Sequence, residues 1–396
     1  MRGRYMRVDA DTDVVVVGGG PAGSCCAREL ALRGFKTLLL EEHETVASKV
    51  LCTGIISLNA FREFPLPRET VVGTLGCIKA VSRFGTELPY TPPQPIAYIV
   101  DKGAFNLALA AQATAAGAIL SASTRVHGLA VDRDGVCLQA TIGDEQPFSV
   151  RAQVVVLACG VHYHLTKHLG LGMPREFLQG AQAEVPWLLS EWTEVHLNKS
   201  FSRDAFAWLV PLQNGATRVG LMSARDARAG LTRFLDHVVP QWREHDEIQL
   251  ASKPIAQMPL RQSVAERVLV IGEAAGQVKA TTGGGIYYGL LAARLAAETI
   301  ARAFVRGCFS AGTLHGYERG WRALLADELS LGLAFRKLYG WIGDRQVDGM
   351  LHYIARNGLK DLIRQKADFD WHRDLIGDLG KRLPLGGLGI QTLFSL

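Results

Sequence analysis

Gly18, Gly20 and Gly23 stand at G-x-G-x-x-G spacing, a pattern whose geometry suits one kind of chemistry. The first glycine permits a tight turn, the second lets a pyrophosphate approach the backbone, and the third lets a helix pack closely on a strand. They follow Val14, Val15, Val16 and Val17, a β-branched run suited to a parallel strand buried on both faces. The spacing predicts a helix over 22–33 stopped by Gly34, then an apolar strand over 38–40 that ends at Glu41. That carboxylate lies 18 residues past Gly23, about where a ribose hydroxyl needs an acceptor. A lone glycine motif would be weak. Strand, glycines, helix, strand and acid in this order read as a dinucleotide site.

A second block begins after another buried-strand run, 268–271. Gly272-Glu273-Ala274-Ala275-Gly276 is followed by Thr281-Thr282-Gly283-Gly284-Gly285-Ile286, and then by a long helical pattern through Leu290, Leu291, Leu295 and Ile300. Three glycines at a helix start leave backbone N–H groups unobstructed, and the helix dipole favours negative charge beside them. A reduced flavin carries such a charge at its N1/C2-oxygen edge. Alone, the block could equally be a tight strand-to-helix turn.

Together the two blocks resemble the FAD-binding motifs of the flavoproteins built like para-hydroxybenzoate hydroxylase. Within that group, 271–288 resembles the geranylgeranyl reductase family, as does Lys49-Val50-Leu51-Cys52-Thr53-Gly54-Ile55-Ile56-Ser57, where the family carries a cysteine followed by small residues. Phe206-Ala207-Trp208-Leu209-Val210-Pro211 resembles that family's aromatic-x-Trp-x-aromatic-Pro motif, which lines the substrate cavity. Val100-Asp101-Lys102-Gly103-Ala104-Phe105-Asn106 resembles its helix-opening V-D-R-x-x-F-D. The matches span residues 13 to about 305.

The resemblance implies FAD held by Gly18, Gly20, Gly23, Glu41, Lys102, Gly272, Glu273, Gly276, Gly283, Gly284, Gly285 and Ile286. It implies a substrate wall of Phe206, Trp208 and Pro211, with Cys52 near the reacting bond as proton donor or gate; a buried small residue is the equal alternative for Cys52. The activity implied is FAD-dependent saturation of carbon–carbon double bonds in a prenyl or isoprenoid lipid. An FAD monooxygenase or halogenase is the runner-up, since the halogenases have a related Trp-x-Trp-x-Ile-Pro element. A non-catalytic FAD-bound lipid carrier is the third reading.

The chain departs from the family pattern at Glu273 (usually Asp), Ala280 (usually Pro), Phe206, Val210 and Lys102 (usually Arg). An ammonium keeps the charge of an arginine but loses its bidentate fork. At Leu157-Ala158-Cys159-Gly160, related flavoproteins have an Asp-Gly pair linked to pyridine-nucleotide handling. Cys159 removes that carboxylate, which leaves the electron donor open between NADPH and a ferredoxin-like protein.

The 396 residues of the chain suit two or three lobes. A 48% hydrophobic content with a net charge of only +5 excludes disorder and gives no nucleic-acid footprint. The expected architecture is α/β, α+β overall. A Rossmann-like FAD-binding lobe (11–75, 98–180 and 262–306) would carry an inserted antiparallel-sheet substrate lobe (76–97 and 181–261) and a C-terminal helical region (307–396).

Seven cysteines without C-x-x-C spacing indicate neither a disulfide framework nor a zinc site. His164 and His168 are four apart, yet no acid or cysteine completes a metal site, and none is expected. Arg2, Arg4 and Arg7 are followed by Asp9, Asp11 and Asp13, unlike a signal peptide. A cytoplasmic protein, free or peripheral at a membrane, is the expectation. The basic helices over 333–366 would make the membrane contact, with an ordinary solvated face as the alternative. No Ser-His-Asp pattern or Walker loop supports a hydrolase or kinase.

Overall fold

The computed structural model describes residues 12–48, 51–143 and 145–382. The charged run before the first strand, together with Lys49 and Val50 of the cysteine block, lies outside these. Five parallel strands form the core of an eight-stranded sheet. Thr12–Val17 lies between Phe148–Leu157 and Thr37–Leu40, with Val268–Val270 and Ile119–Ser121 flanking them.

Val14, Val15, Val16, Leu38 and Leu39 are fully buried, as an unbroken apolar run requires. Burial of each contributes roughly 1.5–3 kcal/mol. Val14, Val16 and Leu39 face the helices Pro21–Ala31, Lys102–Ala115 and Ile286–Arg306. Val15, Leu38 and Leu40 face the antiparallel strands Thr124–Val131 and Val136–Ile142. Because the strands are parallel, the residues after Val17, Leu40, Leu157 and Val270 all emerge at one edge, where ligands of open α/β sheets bind.

The helix Pro21–Ala31 begins with extended Gly20 and with proline at its first position, where a missing N–H costs nothing. It stops two residues before the expected end. Arg33 and Gly34 form a closing turn, in which the Gly34 N–H bonds the Ala31 carbonyl at φ +84°.

The second sheet has seven strands, in the order Ala251–Ala256, Phe177–Val185, Thr217–Ser223, Ala207–Pro211, Thr193–Leu197, Ile78–Ser82 and Glu87–Tyr90. Its pairings are antiparallel, as expected for the inserted lobe, except at one junction, where Thr193–Leu197 pairs parallel with Ile78–Ser82. These strands come from separate inserts, and no hairpin fixes their relative direction. Period-2 alternation gives the sheet two faces. Ala181, Ala207, Leu209, Val219 and Leu221 pack under the helix Ala227–Val238. Phe206, Trp208, Val210, Met222, Lys253 and Ile255 turn towards the first lobe. A three-stranded sheet of Ile55–Ser57, Ala97–Val100 and Val71–Leu75 lies alongside.

The C-terminal part is helical. Ala311–Trp341 packs back on the first lobe, with Trp321 fully buried and the Tyr317 hydroxyl donating to the Val270 carbonyl at 2.8 Å. Asp344–Arg356 and Leu359–Lys366 bury Leu351, Ile354, Leu359 and Leu362 against Leu88 of the second sheet. Several basic side chains of the 333–366 stretch have acidic partners: Arg336 and Lys337 pair with Glu176, and Lys366 with Asp378. Among the described residues no helix is long and apolar enough to cross a membrane.

Candidate functional site

A cavity of about 580 Å³ runs from the carboxyl edge of the parallel strands to the inner face of the second sheet. Gly18, Gly20, Glu41, Cys52, Lys102, Gly272, Glu273, Gly283, Gly284, Gly285, Ile286, Phe206 and Trp208 all line it. Gly23, Gly276 and Pro211 are not among the lining residues. Gly23 and Gly276 are packing positions, where a Cβ would fall 1.9 Å from the Gly18 carbonyl oxygen and 2.2 Å from that of Met258. Pro211 ends its strand opposite Thr217, and Val210 reaches the cavity in its place.

The first glycine loop divides its work by position. Gly18 has φ +108°, and a Cβ there would meet the Ala158 carbonyl oxygen at 2.4 Å. At Gly20 a Cβ would meet nothing within 4 Å, so this position opens on free space at the start of a helix. Glu41 closes the loop. One carboxylate oxygen accepts from the Gly19 N–H at 2.8 Å, and the other accepts from the His43 N–H at 3.0 Å and lies 2.8 Å from its ring Nδ1.

Lys102 opens the helix whose N-cap, Asp101, accepts from the Ala104 N–H. It is buried, bonded to Asn106, and has no acidic partner in a salt bridge among the described residues. Burial pushes its ammonium down to about 8, with the Lys253 charge acting in the same direction and Cys52 and Glu273 opposing. Lys253 pairs with Glu273 at 3.2 Å. A buried cation beside an open glycine loop is a place for an anion. The second loop is closed by two backbone bonds, Lys279 N–H to Gly284 carbonyl at 3.0 Å and Gly283 N–H to Lys279 carbonyl at 2.8 Å. Gly285 then caps the helix Ile286–Arg306 with no side-chain bond to its first N–H groups, and Gly285, Ile286 and Tyr287 line the cavity. Two glycine-loop helix starts, three lysines (Lys102, Lys253 and Lys279) and a ribose-type acceptor along one groove fit a long dinucleotide such as FAD.

The far wall is apolar. Phe206 and Trp208 meet edge to face with centroids 5.8 Å apart. The Trp208 indole occupies the place of a side chain at Gly220, where a Cβ would fall 2.2 Å from its ring. Cys52 is half-buried, and its sulfur accepts from the Gly54 N–H at 3.4 Å. Thr53 donates its hydroxyl to Gln182 at 2.7 Å, which ties the cysteine loop to the second sheet. Cys159 sits where the first sheet ends, its thiol 3.6 Å from the Val17 carbonyl, and burial pushes it up to about 12. His164 and His168 bond to the carbonyls of Val126 and Leu129 and do not converge.

Lys253, Lys279 and Asp370 also line this cavity, and Arg218 holds the loop beside Cys52; of the four only Lys279 falls within a family-like segment, 271–288. Arg218 and Lys253 stand in strands at inward positions of the alternation, which was the one available signal. Asp370 comes from the C-terminal region and reaches the cavity across 91 residues from Lys279.

A family model described as an FAD binding domain matches residues 11–326. The digeranylgeranylglycerophospholipid reductase of Methanocaldococcus jannaschii is 28% identical, covering 87% of this chain and 91% of that protein. A geranylgeranyl bacteriochlorophyll reductase-like protein from Thermoplasma acidophilum superposes with a TM-score of 0.83 at 20% identity, covering 93% of this chain and 99% of that one. A flavin-dependent brominase superposes with a TM-score of 0.72 at 16% identity, covering 94% and 99%. Both superpositions show a shared fold.

Proposed function

Because this chain belongs to the FAD binding domain family and is similar in sequence and fold to geranylgeranyl reductase-like FAD oxidoreductases, we propose that it saturates carbon–carbon double bonds of a prenyl or isoprenoid lipid. The observation that carries this reading is the continuity of the cavity, from the glycine loops past Cys52 to Phe206 and Trp208.

The FAD would be held along Gly18, Gly20, Glu41 and Lys102 at its dinucleotide end. Glu273 and the Gly283–Ile286 helix start would hold its ring end. When reduced, the flavin supplies the hydride. The protein supplies everything else. Phe206, Trp208, Val210 and Met222 give an isoprenoid chain an apolar wall that excludes water. The start of the helix Ile286–Arg306, whose cap Gly285 offers no side-chain acceptor, favours negative charge beside it.

Cys52 stands between the two regions and supports the role of proton donor to the second alkene carbon. Its sulfur is held by the Gly54 N–H, and its loop is held by Gln182 and Arg218. Cys159, half-buried at the cavity wall and with its thiol pushed up to about 12, offers no charge for a pyridine nucleotide, which favours a ferredoxin-like protein as electron donor over NADPH. The test is to photoreduce the FAD-loaded protein without air and add geranylgeranyl lipids or polyprenyl diphosphates. Reoxidation of the flavin by the alkene is expected. A flavin that stays reduced until oxygen enters would move the reading to an oxygenase or halogenase.

A further inference from the structure

Lys279 and Asp370 form a buried ion pair at 3.0 Å, with the two side chains 5% and 1% exposed. Lys279 belongs to the second glycine loop, and its Cε lies 3.2 Å from where a Cβ would stand on Gly284. Its ammonium also donates to the Phe369 carbonyl at 2.8 Å and lies 4.6 Å from the Phe369 ring centroid. Asp370 lies beyond the residues that the FAD binding domain matches. Both residues line the cavity together with Gly283, Gly284 and Gly285.

The segment around Asp370 is fixed on several sides. The Tyr288 hydroxyl donates to the Asp370 carbonyl at 2.7 Å, and Trp371 packs on the Tyr288 ring. His372 bonds to Thr281 at 2.8 Å, while its own N–H and that of Arg373 donate to Glu328. These contacts secure the segment without using the charge of the pair. Asp370 Oδ2 has no hydrogen-bond partner among the described residues. A buried ion pair is weak evidence for stability, because two well-packed apolar residues usually serve as well. A pair retained beside a redox ligand has another use, since removing either partner leaves a unit charge in a low-dielectric wall.

We infer that Lys279 and Asp370 are a positioning pair that sets the electrostatic potential at the ring end of the FAD site, with the C-terminal segment supplying the negative half. This rests on the FAD reading and not on the identity of the alkene. While paired, the two charges cancel at the glycine loop, and the helix start alone biases the flavin towards its anionic reduced form. Without Asp370 a net positive charge remains there. Without Lys279 a net negative charge remains.

Sulfite addition to the FAD-loaded protein reads this directly, because sulfite bonds to the flavin through its own electron pair and leaves a negative charge on the ring. Asp370→Asn should bind sulfite about tenfold more tightly and Lys279→Met about tenfold more weakly, while the double variant and Lys279→Arg stay within about threefold of the parent. Midpoint potentials from dye-coupled reduction should move in the same order. Single variants that shift sulfite affinity in the same direction, or leave it unmoved with FAD bound, would overturn the inference. Loss of FAD from all four variants would overturn it too, by making the pair a folding contact. Failure of the alkene assay alone would leave these shifts in place, so the two readings fall separately.

Discussion

The guanidinium of Arg218 donates to the Thr53 carbonyl at 2.7 Å across 165 residues of chain. The same nitrogen reaches the Val100 carbonyl at 3.0 Å, and Nε donates to Glu184 at 3.1 Å. One side chain of the second sheet thus holds the loop beside Cys52 against the three-stranded sheet. Gly54, at φ +79°, leaves room for it, since a Cβ there would lie 3.0 Å from the guanidinium. Arg218→Met should leave FAD bound but lower alkene turnover about tenfold, a barrier change near 1.4 kcal/mol. It should also change the rate at which Cys52 is alkylated, read by peptide mass. Arg218→Lys should recover part of both. Unchanged alkylation and turnover in Arg218→Met would show that the loop holds itself.

The two glycines of the first loop should fail differently. Gly20→Val puts a side chain into open space, so the apoprotein should melt within a few degrees of the parent yet stay colourless with FAD. Gly23→Ala drives a Cβ into the Gly18 carbonyl and should cost about 1–3 kcal/mol of stability even without cofactor. Melting curves with and without FAD separate these. A yellow Gly20→Val protein would remove the pyrophosphate from this loop.

The glycine motifs, the buried strands and the alternation of the second sheet were legible because each is written in consecutive residues. Val14–Val17 needs no partner to reveal burial, and Gly20 needs only its neighbours to reveal a turn. Arg218, Lys253 and Asp370 were not legible, because their meaning lies in partners 165, 20 and 91 residues away. The direction of the Thr193–Leu197 pairing was hidden for the same reason: its neighbour Ile78–Ser82 comes from a separate insert. Pro211 illustrates the converse. A motif read as a unit takes in a residue that strand geometry places outside the cavity.

Lys102 gives a pH signature. Its folded value, about 8, lies below the roughly 10.4 of an unfolded lysine. Between these values the unfolded chain holds the extra proton, so this group makes apoprotein stability rise with pH across that window. A pyrophosphate beside Lys102 would favour the charged form, with Lys253, Glu273 and Cys52 facing the same ammonium. FAD affinity should therefore weaken as pH climbs past about 8, and Lys102→Met should flatten the profile. Titration of the apoprotein with FAD from neutral to alkaline pH checks this. An equally steep profile in the variant would take Lys102 out of the cofactor site.

Trp208→Ala should retain FAD, because the indole belongs to the second sheet and lies across Gly220. The opened wall should raise KM for a prenyl substrate and speed the loss of flavin electrons to oxygen. Stopped-flow reoxidation in air measures the second effect. A variant with wild-type KM and wild-type oxygen sensitivity would place the substrate elsewhere.

The most direct measurement is the mass of the product formed by the photoreduced, FAD-loaded protein from a geranylgeranyl lipid in the strict absence of oxygen. The expected product is heavier by two hydrogens for each double bond reduced, forms without air and is diminished in Cys52→Ser. A product that forms only in air and carries an added oxygen or halogen atom would contradict it.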